Sequence, residues 1–583
     1  MSKNNEDIKS FRINSNKTDF IIRALASHPY IGAFIICMII HPFYLGSWEN
    51  VPANALLIEF MLVLFIGYAV IYHLYKIGRF RKRQAQILAV LFTVIDFTVT
   101  EMYSQTHHKG LWLFTGGCAI LFILYYYSDT KKYRTQLNAL LIMGISFLVK
   151  FYYVFYTSVY TRQHDVGTFG SPDRHAGYIE YLLFNHKLPD FDVREVWQYC
   201  HPPLHHTLCA VWIHINENIF GVGHEPARES LQTLTLFYSM VIVITAYRIL
   251  RHFKLEGIAL YVPLGIIAFH PAFILFSGSI NNDVLSVAFM MGAVLCTLKW
   301  YRNQTLSGII KIALCVGLGM MTKLSAALVA PPIAVVFLAV FIRKFKTEGL
   351  KLFRQFAVFG AVCVPLGLWF EIRNYVKWKV PITYVQEMSK NELQYLGSQS
   401  FFSRITDFSP TQLKSVFEQW AWYDDSGILQ GYNEYNPLIA LLKNSIFGEF
   451  INEECFAEGS YVLKISTLFF WLGVILAAIA LFSMVIMCFR KCAMKPLEKV
   501  FFVLFYITMM GNFYKMSYDY PFTCTMNFRY ITPTVIVGSL FIGLMTDKIC
   551  SRKGKIYKAI SYFTSTSALL FALCSTIVYI SVC

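Results

Sequence analysis

Five short stretches hold most of the residue types that could do chemistry in this chain. The first, RQHDVGTFGSPDRHAGYIEYLL (162–183), gathers His164, Asp165, Asp173, Arg174, His175 and Glu180 between two apolar regions. A carboxylate at the edge of an apolar region is partly desolvated yet reached by water, which suits a general base. The plainer reading of Asp165 is a helix N-cap. The second, YCHPPLHH (199–206), sets His201, His205 and His206 around two prolines that fit the first turn of a helix. Helix amino termini with cationic neighbours bind phosphate well. The third, SGSINNDVLS (277–286), offers Asp283, either a second reactive carboxylate or a turn and cap. The fourth, MTKLSA (321–326), places Lys323 in apolar surroundings, as a functional cation or a snorkelling one. In the fifth, MNFRYITP (526–533), Arg529 stands beside Tyr530, and a guanidinium is well suited to a phosphate. His164, His175 and His201 could also gather a divalent cation, although their spacing matches no metal motif, so no definite cofactor is expected.

The elements that must position these residues are membrane helices. The chain has 583 residues, of which 56% are hydrophobic and only 15% charged, and its mean hydropathy is +0.48. A soluble chain of this length would expose far more charge. Apolar runs near 31–46, 53–75, 85–103, 110–128, 137–160, 231–250, 257–278, 283–301, 308–322, 324–342, 356–371, 462–489, 500–514, 530–546 and 559–582 predict about fifteen spans. The fold class expected is an all-α polytopic membrane protein. Basic loops such as KIGRFRKRQ (76–84), TKKYRT (130–135) and RKFKTEGLKLFR (343–354) fall on one side when the spans alternate. The positive-inside rule makes that side the cytoplasm, and all five stretches then lie outside. The same rule accounts for the net charge of +16, and nucleic acid is not expected as a partner.

Two outer segments are too long to be turns. The first, 161–230, includes an apolar stretch studded with His, Asn and Glu (201–221) that predicts an interfacial amphipathic helix. The second, 372–461, is rich in Tyr, Trp, Asn and Asp, with Trp420, Trp422 and Tyr423 among them, and predicts a small external cap. Of fourteen cysteines, Cys200, Cys455 and Cys524 fall outside, where one disulfide could form. Asp96 and Lys150, inside apolar runs, predict internal polar contacts.

An external Asp, a HAGYIEYLL helix, an HPPL element, an amphipathic helix and INND after the next span pair together resemble polyprenyl-phosphate-sugar-dependent glycosyltransferases of the GT-C fold. The branch it resembles holds protein O-mannosyltransferases and lipid A aminoarabinose transferases (glycosyltransferase family 39), and the likeness is clearest over about 161–345. The resemblance implies a GT-C-like helical bundle with interfacial helices in its first long outer loop and a small external cap. It implies transfer of a sugar from an undecaprenyl- or dolichyl-type phosphate to a glycan, lipid or protein acceptor, with inversion. Asp165 matches the proposed base, and Asp283 the second external Asp. His201 precedes the PPL element, and Lys323 and Arg529 match phosphate contacts; His164, Arg174, His175, His205 and Tyr530 would line the donor site. The branch often has an Asp-Glu pair where this chain has Asp165 and Val166, which leaves Asp173 or Glu180 as a second carboxylate. The domains expected are a four-span extension (1–135), a core (136–371) with the catalytic loop 161–230, the cap (372–461) and the closing helices (462–583). A bacterial cytoplasmic membrane is expected, with the amino terminus inside; an endoplasmic reticulum membrane with a luminal site is the alternative. A different class, a flippase of a lipid-linked glycan, would use the outer charges as a gate, but no inverted repeat is visible.

Overall fold

The computed structural model describes residues 28–46, isolated positions between 86 and 121, and 130–583 except 387, 391–393, 398, 414, 419–421, 424–428, 432–433 and 457–458. The spans expected near 53–75, 85–103 and 110–128 lie outside the described residues, apart from those isolated positions, as do Asp96 and Trp420. The chain forms two compact units, Met1–Tyr156 and Thr157–Cys583.

The first unit contains α1 (Pro29–Gly46) and α2 (Thr130–Tyr156). In α2 the buried Lys150 donates from Nζ to Ser146 Oγ at 2.6 Å, one turn back. This is the internal polar contact expected of an ionisable group in an apolar helix.

The second unit runs through α3 (Arg174–Asn185), α4 (Leu204–Asn218), α5 (His224–Glu229), α6 (Leu231–His252), α7 (Ile258–Ala268), α8 (Pro271–Gly278), α9 (Asp283–Arg302), α10 (Leu306–Thr322) and α11 (Ala330–Trp378). Residues 372–461 hold α12 (Phe401–Thr406), a small antiparallel pair, β1 (Trp422–Tyr423) and β2 (Leu429–Gly431), and α13 (Pro437–Phe447). Then come α14 (Tyr461–Phe489), α15 (Pro496–Asp519), α16 (Pro533–Cys550) and α17 (Lys555–Ser581). Among the described residues, eight helical segments are long and apolar enough to cross a membrane, or nine when α7 and α8 count as one bent span. The protein is an all-α multi-pass membrane protein.

Local chemistry explains the two irregular spans. Between α7 and α8 the axis bends by 45°. Pro271 has no N–H to continue the first helix, and the His270 ring caps the second by accepting from Ala272 N–H at 3.2 Å. In α11 the helical run covers 49 residues, yet it cannot be straight. Phe337 and Phe356 are 19 positions apart, about 28 Å along an ideal axis. Their ring centroids are 5.1 Å apart, and both rings touch Trp300. The run therefore doubles back, and its two arms take the places of the spans expected at 324–342 and 356–371. Gly317 of α10 lets one arm approach closely, since a β-carbon there would sit 2.9 Å from Leu366 Cβ.

The segment 161–230 packs on a hydrophobic core that it shares with Ile280, Phe370 and Val380. The α4 helix buries His205, His206, Cys209, Ala210 and Ile213, and leaves Leu208 and Val211 exposed on the opposite face. That is the two-sided pattern of an interfacial helix. Val166, 1% exposed, joins this core with Phe169, Tyr178 and Ile213. A carboxylate at that position would be buried among apolar groups, which gives a physical reason for the missing acid of the Asp-Glu pair. Cys200, Cys455 and Cys524 are all unpaired, so the disulfide considered for them is not formed.

Candidate active site

Asp165 sits in an irregular loop whose backbone repeatedly enters the left-handed region, at Arg162, Asp165, Gly167 and Gly170. Such a loop needs side-chain ties to hold its shape. Glu229 of α5 accepts from Ser158 Oγ at 2.6 Å and Val159 N–H at 2.9 Å. Glu180 accepts from Gly170 N–H at 2.6 Å and pairs with Arg228. Gln163 grips the turn before α9, donating to Gly278 O at 2.7 Å and accepting from Ile280 N–H at 3.1 Å. Asp165 is thereby presented with its side chain still 39% exposed.

Three other turns bring partners to it. The turn Ser279–Asn282 starts α9, and Asn281 Oδ1 accepts from Asp283 N–H at 3.1 Å. Lys323 lies at the break between α10 and a 3-10 turn (Leu324–Val329). Arg529 lies in a 3-10 turn (Phe528–Ile531) just before α16, its N–H held by Asn527 Oδ1 at 2.9 Å. Arg529 Nη2 donates to Asp165 Oδ2 at 2.5 Å and to Tyr530 Oη at 2.9 Å, and its Nη1 is 3.8 Å from Asp283 Oδ2. Lys323 Nζ pairs with Asp283 Oδ1. Both cations lie over the Tyr530 ring, at 4.9 Å for Arg529 and 5.3 Å for Lys323.

The result is a cluster of two carboxylates and two cations, with Arg529 and Asp283 each at least nine-tenths buried. Burial by itself would raise the Asp165 carboxyl, but the charge and hydrogen bond of Arg529 outweigh it, with help from His164 and Lys323. They hold it at about 2. Arg529 Nε and Asp283 Oδ2 are buried without a hydrogen-bond partner, so the cluster retains capacity for a further polar group.

The histidines divide into separate groups. His201 is stacked on His175 at 5.4 Å, and burial, with Lys323 nearby, lowers it to about 4. It is neutral at neutral pH and cannot add a cation. His175 Nδ1 and His206 Nε2 share a hydrogen bond of 2.8 Å. His205 Nε2 donates to Ile280 O at 2.8 Å and ties α4 to the turn that carries Asp283. His164 does not meet His175 and His201 as a metal cluster would require; its Nδ1 pairs with Glu449 at 2.5 Å. Among the described residues no group of three or more His, Cys, Asp or Glu is arranged to hold a metal ion.

The other residues named from the sequence stand apart. Glu180 is occupied by the loop and by Arg228, while Asp173 takes Ser171 Oγ and lies 3.6 Å from the half-exposed Arg174. The carboxylate that shares a cation with Asp165 is Asp283. Sequence reasoning missed Glu449 and Asn527. Asn527 Nδ2 donates to Glu449 Oε2 at 3.2 Å, and both residues line a recess with His164, Asn281 and Arg529. The lone acid in FGEFIN, just after an apolar helix, was the available signal for Glu449.

Residues 201–369 match the family model described as dolichyl-phosphate-mannose-protein mannosyltransferase. The sequence is thus similar to the branch named above over a stretch that includes His201, Asp283 and Lys323. No curated protein matches the chain by sequence. Among solved structures, ArnT from Cupriavidus metallidurans bound to undecaprenyl phosphate aligns with 11% identity over 76% of each chain, with a TM-score of 0.43. ArnT from the same organism in the apo state aligns with 12% identity over 76% of this chain and 75% of that one, with a TM-score of 0.45. The archaeal oligosaccharyltransferase AglB from Archaeoglobus fulgidus, in complex with an inhibitory peptide and a dolichol-phosphate, aligns with 12% identity over 78% of this chain and 56% of that one, with a TM-score of 0.42.

Proposed function

We propose that this protein is an integral-membrane glycosyltransferase of GT-C type, moving a sugar from a polyprenyl-phosphate donor to an acceptor at the extracytoplasmic membrane surface. The observation that carries this reading is the Asp165–Arg529–Asp283–Lys323 cluster. It offers a reachable carboxylate and two cations within one buried network, at the ends of membrane helices. The family match over residues 201–369 supports the donor class.

In this mechanism the donor's prenyl tail lies among the helices and its phosphate engages Arg529 and Lys323. Arg529 then shares its charge between the phosphate and Asp165, which makes Asp165 more basic than in its closed pair. Asp165 takes the proton from an acceptor hydroxyl or amine as that group attacks the anomeric carbon. The bond from that carbon to the phosphate oxygen breaks, and prenyl phosphate leaves with the bonding pair. Attack opposite the leaving group inverts the anomeric centre. The two cations stabilise the departing phosphate, the electrostatic contribution that is usually the largest in such transfers. Asp283 keeps Lys323 and Arg529 in register, and neutral His201 can add an N–H hydrogen bond. The acceptor is a glycan, lipid or protein, the membrane a bacterial cytoplasmic membrane with the amino terminus inside.

The test is release of prenyl phosphate by purified protein supplied with polyprenyl-phosphate sugars and candidate acceptors. Release by wild type that is lost in Asp165→Asn supports the reading. Full activity of Asp165→Asn removes Asp165 as the base. Translocation of the lipid without any sugar transfer favours the flippase alternative.

A further inference from the structure

Glu449 has no part in the transfer just described, yet it joins the two loops that carry the Asp165–Arg529 pair. It directly follows Gly448, which ends α13 with φ +63, and its side chain is 8% exposed. One oxygen, Oε2, meets both loops: His164 Nδ1 at 2.5 Å and Asn527 Nδ2 at 3.2 Å. His164 immediately precedes Asp165, and Asn527 lies two positions before Arg529. Asn527 is held at both ends of its amide, since its Oδ1 accepts Arg529 N–H at 2.9 Å while its Nδ2 reaches Glu449. A chain of one close pair and two hydrogen bonds thus runs from the residue beside Asp165, through Glu449, to the backbone of Arg529.

The backbone ties Asp165 to the start of α3, where its O accepts from His175 N–H at 3.3 Å and Val166 O from Ala176 N–H at 2.8 Å, but not to the loop of Arg529. The Asp165 φ of +58 is a conformation that a β-carbon disfavours, and the residue lies outside any helix or strand. Gln163 fixes the loop to the turn before α9, but not to the loop of Arg529. The ring of His164 rests against Phe450 with centroids 4.9 Å apart, so its pair with Glu449 is also packed.

We propose that Glu449 is a positioning residue for sugar transfer: through His164 and Asn527 it sets the separation of the Asp165 carboxylate and the Arg529 guanidinium. The inference rests on the proposed glycosyl transfer.

The experiment compares full-length wild type with Glu449→Ala, Glu449→Gln and His164→Ala, measuring prenyl-phosphate release, donor KM, thermal unfolding, and the structure of Glu449→Ala. Misplacing a catalytic group by about 1 Å costs on the order of 10²-fold in rate. Glu449→Ala and His164→Ala are expected to lose about 10- to 100-fold in kcat with donor KM and unfolding temperature little changed. Glu449→Gln is expected to fall between wild type and Glu449→Ala, because its amide oxygen keeps the Asn527 hydrogen bond while the carboxylate that pairs with His164 is gone. Wild-type rates in Glu449→Ala or His164→Ala overturn the proposal. So does a Gln variant as slow as the Ala variant, since the Asn527 arm of the tether would then contribute nothing. A wild type with no turnover defeats the glycosyl-transfer reading alone. The tether is then decided by the Glu449→Ala structure, where an unbroken Asp165–Arg529 contact overturns it and a parted one supports it.

Discussion

Asp165 and Arg529 are 364 positions apart in the chain and form a 2.5 Å ion pair in which one partner is buried and the other faces outward. The asymmetry is what a transfer site needs. A buried guanidinium keeps its orientation, while a carboxylate still 39% exposed can be reached by an acceptor. The pair also sets the resting state, because the same cation that would hold the phosphate keeps the carboxylate quiet beforehand.

Asp165→Asn is expected to reduce prenyl-phosphate release by about 10²-fold or more, the usual contribution of a general base. The side chain is partly exposed and the amide can still meet Arg529, so thermal unfolding should move little. Turnover and unfolding measured on the same preparation check both halves.

Arg529→Ala removes the partner of Asp165 and a neighbour of Asp283 together. Donor binding is expected to weaken by at least about tenfold, as expected for a lost charge-assisted contact to phosphate. Arg529→Lys is expected to recover only part of this, because an ammonium cannot reproduce the forked geometry. Binding of bare polyprenyl phosphate, without a sugar, measures the effect directly.

The pairing also predicts a dependence on acidity. Asp165 is held at about 2, below its ordinary 3.8, so the pair contributes its stability above about pH 3.8 and loses it as pH falls toward 2. No acidic limb from Asp165 is expected above pH 4 in kcat/KM, which reports the free enzyme. In Arg529→Ala the burial of Asp165 is no longer opposed by Arg529, and any residual activity should show a limb displaced upward. Activity profiles of the two proteins between pH 4 and 8 decide it.

His175, His205 and His206, which the mechanism does not use, predict the opposite kind of evidence, a stability effect without a catalytic one. Burial lowers His175 well below its ordinary 6.5, and His206 likewise, while His205 is lowered to about 4. The folded state holds these rings neutral, so their contribution is complete above pH 6.5. It is lost as pH falls below 6.5 and the unfolded chain takes up protons first. Unfolding temperature should therefore drop between pH 6.5 and 4, and His206→Phe should flatten that slope.

Val166→Glu, which restores the acid of the Asp-Glu pair, is expected to destabilise the protein without a gain in rate. Val166 is 1% exposed among apolar side chains, and an unpaired buried polar group costs about 1–3 kcal/mol, more when charged. A lower unfolding temperature with no increase in turnover is the expected pair of results.

Much of this architecture is legible in the sequence because its signals are local. Apolar run length marks the helices, although the run 257–278, read as one span, hides the break at His270 and Pro271 between α7 and α8. The five polar stretches stand out against that background, and Asp165, Asp283, Lys323 and Arg529 come directly from them. Depth and occupation were not legible. Glu180 resembled a spare carboxylate until Gly170 and Arg228 occupied it, and His201 resembled a phosphate contact with charge until burial made it neutral.

The sequence alone therefore determined what kind of molecule this is and which side chains have reactive chemistry, since hydropathy and residue type act over a few neighbouring positions. Only the tertiary structure decided which of them meet. The choice of Asp283 over Asp173 as the acid beside Arg529 and the bridging place of Glu449 each join positions remote in the chain. Such contacts depend on how helices pack, and no local pattern of residues encodes that.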